Sequence, residues 1–173
     1  VLIRPRSGNF CYTISEFEQM KTDILLSKKM GFQGIVSGIL TKNNEIDIEK
    51  TKQLIALSKP LSFTFHRAFD VVKDPKKAVL ILQELGVDRI LTSGTKEKAS
   101  KGIDLLIELK KIAENKLTIL PGSGINKYNV ALFKNEGFEE IHTSASKIIT
   151  HEKSVFFDKI ANEGILFNNS ICT

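Results

Sequence analysis

His66, Arg67 and Asp70 close the run FTFHRAFD (63–70), which puts an imidazole, a guanidinium and a carboxylate within five positions at the end of a mostly apolar stretch. An imidazole near neutral pH beside a fixed cation and an anion is the equipment of general acid–base chemistry. If the strand starts near Ser62, alternation puts Thr64 and His66 on one face and Phe63, Phe65 and Arg67 on the other, with Asp70 in the loop that follows. Two more guanidiniums, Arg4 and Arg6, flank Pro5 in VLIRPR. They are two apart and share a strand face, so burying them requires an anion, either a ligand or acids such as Asp70. PGSG (121–124) offers the backbone N–H groups of Gly122, Ser123 and Gly124 to an anion. LTSG (91–94) presents Ser93 in a similar small polar loop, and His142 alternates onto a common face with Ser144 in EIHTSAS. Each of these has a plainer alternative: a core imidazole, an internal ion-pair network, or glycines that only make tight turns.

These groups need elements to hold them, and the pattern of the chain supplies the elements. GFQGIVSG (31–38), GVDRILTSG (86–94) and GFEEIHTSA (137–145) share a glycine able to end a helix, an apolar residue, two variable positions and a short strand ending in small polar residues. Apolar residues at three- and four-residue spacing predict helices over 14–30, 47–59, 74–85, 99–116 and 128–136. Strands are expected to start near 2, 35, 62, 89, 117 and 140, a spacing of about 27 residues typical of successive βα units. Such units build a parallel sheet, doubly wound or closed into a (β/α)8 barrel. No dinucleotide fingerprint or phosphate-binding lysine loop is present, and polar groups recur at the C-terminal ends of nearly all strands, which favours the TIM-barrel-like α/β arrangement. Six units are two short of a barrel. Because the chain opens inside a strand without an initiator Met, it reads as a fragment holding strands three to eight. Residues 1–146 form the barrel portion and 147–173 a tail of the same domain.

The 173 residues are 42% hydrophobic and 26% charged, the balance of one globular domain. The 25 Lys and Arg are interleaved with 20 Asp and Glu, so the net charge of +5 describes solvated faces and argues against a nucleic-acid partner. No apolar run reaches the length of a membrane span. Cys11 and Cys172 stand far apart, outside any CxxC pair, which fits a reduced cytoplasmic setting. Cys11, Met20, Met30, His66, His142, His151 and Cys172 show no tight ligand spacing for a metal, and both methionines fall on a helix where a core role is expected.

IRPRSGNFCY (3–12), TFHRAFD (64–70), LTSG (91–94), PGSG (121–124) and IHTSAS (141–146), in this order and spacing, resemble the CutC family of copper homeostasis proteins. The resemblance implies a cytosolic TIM-barrel-like protein, often a homodimer, with a link to copper. It also implies pocket residues at Arg4, Arg6, His66, Arg67, Asp70, Ser93, Gly122, Ser123, Gly124 and His142. Two functions follow as expectations: copper handling, from the resemblance, and an enzyme acting on a small anionic or phosphorylated metabolite, from the residues. In the second, the arginines and PGSG hold the anion while His66 and Asp70 move protons or orient the reacting group.

Overall fold

The computed structural model describes residues 1–144. Four parallel strands, β1 (Gly34–Ser37), β2 (Ser62–Phe65), β3 (Arg89–Thr92) and β4 (Thr118–Pro121), lie side by side in chain order. Single parallel bridges extend the sheet at both flanks, Leu2 to Val36 and Gly122 to His142, so all six expected strand positions are parallel and in sequence. This is the TIM-barrel-like arrangement expected from the 27-residue rhythm.

Helices α1 (Ile14–Lys29), α2 (Ile48–Ser58), α3 (Pro75–Glu84), α4 (Ile103–Ala113) and α5 (Val130–Asn135) alternate with the strands. Their starts are chemically specified. Thr13 and Glu16 form a reciprocal capping box on α1, while the Asp47 and Asp74 side chains accept from the third backbone N–H of α2 and α3. Gly31, Gly86 and Gly137 all have φ between 72° and 79°, the left-handed turn that lets a helix end and a strand begin. The common glycine of the three sequence repeats therefore has one physical cause.

Two helices are shorter than their apolar spacing suggested. The stretch expected to be helical from 99 opens as a 3-10 turn (Ala99–Lys101), and α5 is confined to Val130–Asn135. Met20 is fully buried as expected, whereas Met30 is 64% exposed because it caps the end of α1 instead of lying on its packed face.

Register explains which side chains face which way. Phe65, Ile90 and Ile119 align across β2, β3 and β4 and are buried with Phe63 and Ile35 in the apolar core shared with the helices. The other face carries a row running Leu2, Val36, Thr64, Arg89, Thr118. Two residues further along that face come Arg4, Gly38, His66 and Leu91, at the C-terminal ends of the strands. Among the described residues no helix is long and apolar enough to cross a membrane. The expected tail 147–173, with His151 and Cys172, lies outside the described residues.

Candidate functional site

β2 ends at Phe65, one residue before the chain changes direction. His66 caps a 3-10 turn (Arg67–Val71), with its Nδ1 accepting from the Ala68 N–H at 3.3 Å. That bond assigns the proton of the neutral imidazole to Nε2. His66 is only 5% exposed, and Nε2 has no hydrogen-bond partner. Burial pushes its pKa down to about 4, with a smaller contribution from the Arg4 charge, so the imidazole is neutral at physiological pH. The Phe10 and Phe65 rings flank it at 5.0 and 6.0 Å between centroids. Space beside it is tight: a Cβ on Gly38 would come within 2.7 Å of Nδ1.

The same turn places Arg67 and Asp70 differently from the strand face and loop expected of them. Alternation was to put Arg67 on the outer strand face, but the strand has ended and Arg67 instead reaches along the rim, donating from Nε to Asp70 at 2.7 Å and from Nη2 to Ser93 Oγ at 3.1 Å. Asp70 sits in the turn rather than in a loop. Its carboxylate also accepts from Thr92 Oγ1 (2.5 Å), the Ser93 N–H (2.9 Å), Ser93 Oγ (3.1 Å) and the Thr95 N–H (3.2 Å). Even without the Ser93 hydroxyl, whose one proton the Lys96 carbonyl also contests, four donors match the roughly four lone-pair sites of a carboxylate. Asp70 therefore clamps the LTSG loop. Ser93 is buried in this clamp, its hydroxyl also bonded to the Lys96 carbonyl.

Arg4 and Arg6, expected to point inward together, diverge because the strand is a single bridge long and the chain turns at Pro5. Arg6 uses every guanidinium N–H locally: Nε to Glu16 Oε1 at 2.6 Å, Nη1 to the Ser7 and Asn9 carbonyls, and Nη2 to Asn9 Oδ1 and the Cys11 carbonyl. It organises the 7–12 loop and ties it to the start of α1, leaving no donor for an anion. Glu16, held below the usual carboxylate range first by the Thr13 backbone N–H and then by Arg6, completes that tie. Arg4 is exposed, lies 4.7 Å from the Phe10 ring centre and donates from Nη2 to the Gly8 carbonyl at 2.9 Å.

After β4, Gly122 is buried on the inner face with its N–H donated to the Thr92 carbonyl, so it is not available to an anion. Ser123 and Gly124 both have positive φ, and the Ser123 hydroxyl donates to the Glu97 carbonyl at 2.8 Å. His142 is exposed beside Gly122. Sequence reasoning missed three features. The two variable positions of the repeats carry Asp88, which accepts the Phe63 N–H, and Arg89 and Glu140, which form a two-bond pair at 2.7 and 3.0 Å. Gly38 went unremarked. So did Tyr12, buried beside Arg4 and Arg6; a tyrosine two residues beyond the half-buried Phe10 was the available signal.

No group of three His, Cys, Asp or Glu side chains able to hold a metal ion is present among the described residues. Cys11 is a half-buried free thiol.

The CutC family model matches residues 1–147. The family protein CutC of Parabacteroides distasonis is 48% identical over 150 residues, covering 86% of this chain and 62% of its own length. The corresponding protein of Klebsiella pneumoniae strain 342 is 43% identical over 146 residues, with 84% and 59% covered. The chain thus spans about three fifths of these curated relatives. A crystal structure named as a candidate copper homeostasis protein CutC, from Streptococcus agalactiae, superposes with a TM-score of 0.78 at 37% identity, covering 82% of this chain and 70% of that one. An aldolase, QR15, is similar in fold alone, with a TM-score of 0.59 at 15% identity and 72% and 60% covered.

Proposed function

This chain belongs to the CutC family, and from that premise we propose that the mouth of its parallel sheet binds a small anionic metabolite and acts on it as an enzyme of the TIM-barrel type. One observation carries the reading: His66 presents a buried, neutral Nε2–H with nothing to bond, in the electrostatic reach of the exposed Arg4. A buried donor without an acceptor costs free energy, on the order of 1–3 kcal/mol, and a ligand oxygen removes that cost. A neutral imidazole with its proton on Nε2 donates to an oxygen that becomes more negative during reaction; it does not abstract a proton there. Arg4 supplies the positive charge. Arg67, Asp70 and Ser93 hold the rim of the mouth, and the backbone N–H groups of Ser123 and Gly124 are the place for a second anionic group such as a phosphate.

Copper handling, named for the family's Streptococcus agalactiae member, is the other reading; it rests on the family likeness, and the described residues offer it the free Cys11 thiol. A cytoplasmic homodimer, implied by the resemblance, belongs to the same proposal. Thermal unfolding of the intact protein against a panel of phosphates and carboxylates tests it. At least one anion is expected to raise the midpoint in the wild type and to lose that effect in Arg4→Ala. A flat panel, together with Cu(I) retained by the reduced protein against a competing chelator, overturns the anion reading in favour of copper.

A further inference from the structure

The loop between the first strand bridge and α1 buries Tyr12 to 4% exposure, yet its hydroxyl proton has no acceptor, since the group beside it, the Arg4 guanidinium, can only donate. A phenylalanine would fill the same space without stranding an oxygen. His66 Nε2 is stranded in the same way. These two orphans share a neighbour: Arg4 is the charge that acts on both the imidazole and the phenol. Phe10 joins Arg4 to His66, with the Arg4 Cζ at 4.7 Å and the His66 ring at 5.0 Å from its centroid. Acids that could satisfy the trio are committed elsewhere, Glu16 to Arg6 and the Thr13 N–H, and Asp70 to the rim clamp.

We propose that the Tyr12 hydroxyl is a ligand-binding group that completes, with Arg4 and His66, a three-donor cradle for the oxyanion end of the metabolite. The proposal rests on the anion reading above and deepens it. A guanidinium with one N–H spent, an imidazole N–H and a phenol O–H, with no uncommitted carboxylate among them, select a group with two or more acceptor oxygens and reject cations. Burial raises the Tyr12 pKa above its ordinary value, so the phenol stays protonated and able to donate at neutral pH. Arg4 is exposed while the other two donors are buried, so the oxyanion enters from the guanidinium side. Arg6 keeps the cradle in shape by bonding the loop carbonyls and lying 5.1 Å from the Tyr12 ring centre.

The chain has two tyrosines and no tryptophan, so Tyr128→Phe leaves Tyr12 as its one tyrosine and its near-ultraviolet absorption as a reporter. Titration of that variant with inorganic phosphate and, separately, with acetate is expected to give a saturable difference spectrum with at least one of them, and which one responds identifies the oxyanion. Tyr12→Phe, followed by calorimetric titration, is expected to weaken that binding about 10-fold or more, the loss of a hydrogen bond to a charged group. Its unfolding temperature without ligand is expected to stay level or rise. Unchanged affinity in Tyr12→Phe, or a clear fall in its ligand-free unfolding temperature, overturns the assignment of Tyr12 while the anion reading stands. Failure of both anions and of every member of the wider panel to bind the wild type overturns both.

Discussion

At the scale of single residues, the site is governed by which polar atoms are spoken for. His66 and Asp70 look equivalent in the string FHRAFD, yet the fold leaves one with an unmet donor and gives the other four donors to accept besides the shared Ser93 hydroxyl. The first difference has a pH signature. His66 falls from an ordinary value near 6.5 to about 4 on folding, so the unfolded chain binds the additional proton and stability declines as pH drops from 6.5 towards 4. Across that window the loss traceable to His66 is on the order of 3 kcal/mol. Denaturant unfolding at several pH values is expected to show a steeper acid decline in the wild type than in His66→Gln; equal slopes refute the assignment. Asp70→Asn, which removes the charge and half of the acceptor capacity, is expected to cost about 2–3 kcal/mol by chemical denaturation. It also frees the LTSG loop, visible as faster exchange of the Ser93 and Thr95 amides. None of this accounting was legible in the sequence, because it depends on the 3-10 turn that starts one residue after β2 and redirects Arg67 and Asp70 along the rim.

At the scale of elements, the start of α1 does two tasks. Thr13 and Glu16 cap the helix, and the same Glu16 anchors Arg6 and through it the loop that carries Phe10 and Tyr12. Thr13→Ala is expected to cost about 1 kcal/mol of stability and also to weaken anion binding, although Thr13 touches no ligand; calorimetry and binding titration on the same variant check the pairing of effects. Gly38 links β1 to the site by its lack of a side chain. Gly38→Ala drives a methyl to 2.7 Å from His66 Nδ1 and 3.1 Å from Phe65 Cζ, and is expected to destabilise by about 1–3 kcal/mol while shifting the His66 ring signals in NMR. The helices and strands themselves were readable from apolar spacing and from glycines at 31, 86 and 137, since both follow from local geometry. The single-bridge strands at residues 2 and 142 were legible as positions but not as extents, because ladder length depends on neighbours that the local string does not specify.

At the scale of the whole described unit, the parallel sheet and its order were the most legible features, because a 27-residue rhythm leaves few topologies open. Its ladders are uneven: β1 and β4 are flanked by one bridge each, whereas β2 and β3 are paired on both sides. Amide exchange is therefore expected to be slowest at Phe65 and Ile90 and markedly faster at Ile3 and His142; a uniform profile contradicts that gradient. Sequential order has a further outcome for biosynthesis. Each described strand lies next to the one made just before it, so each of these βα units finds a docking edge already formed. The cradle of Arg4, Tyr12 and His66 draws only on residues made by the one that follows β2, so its three donors need none of the later strands.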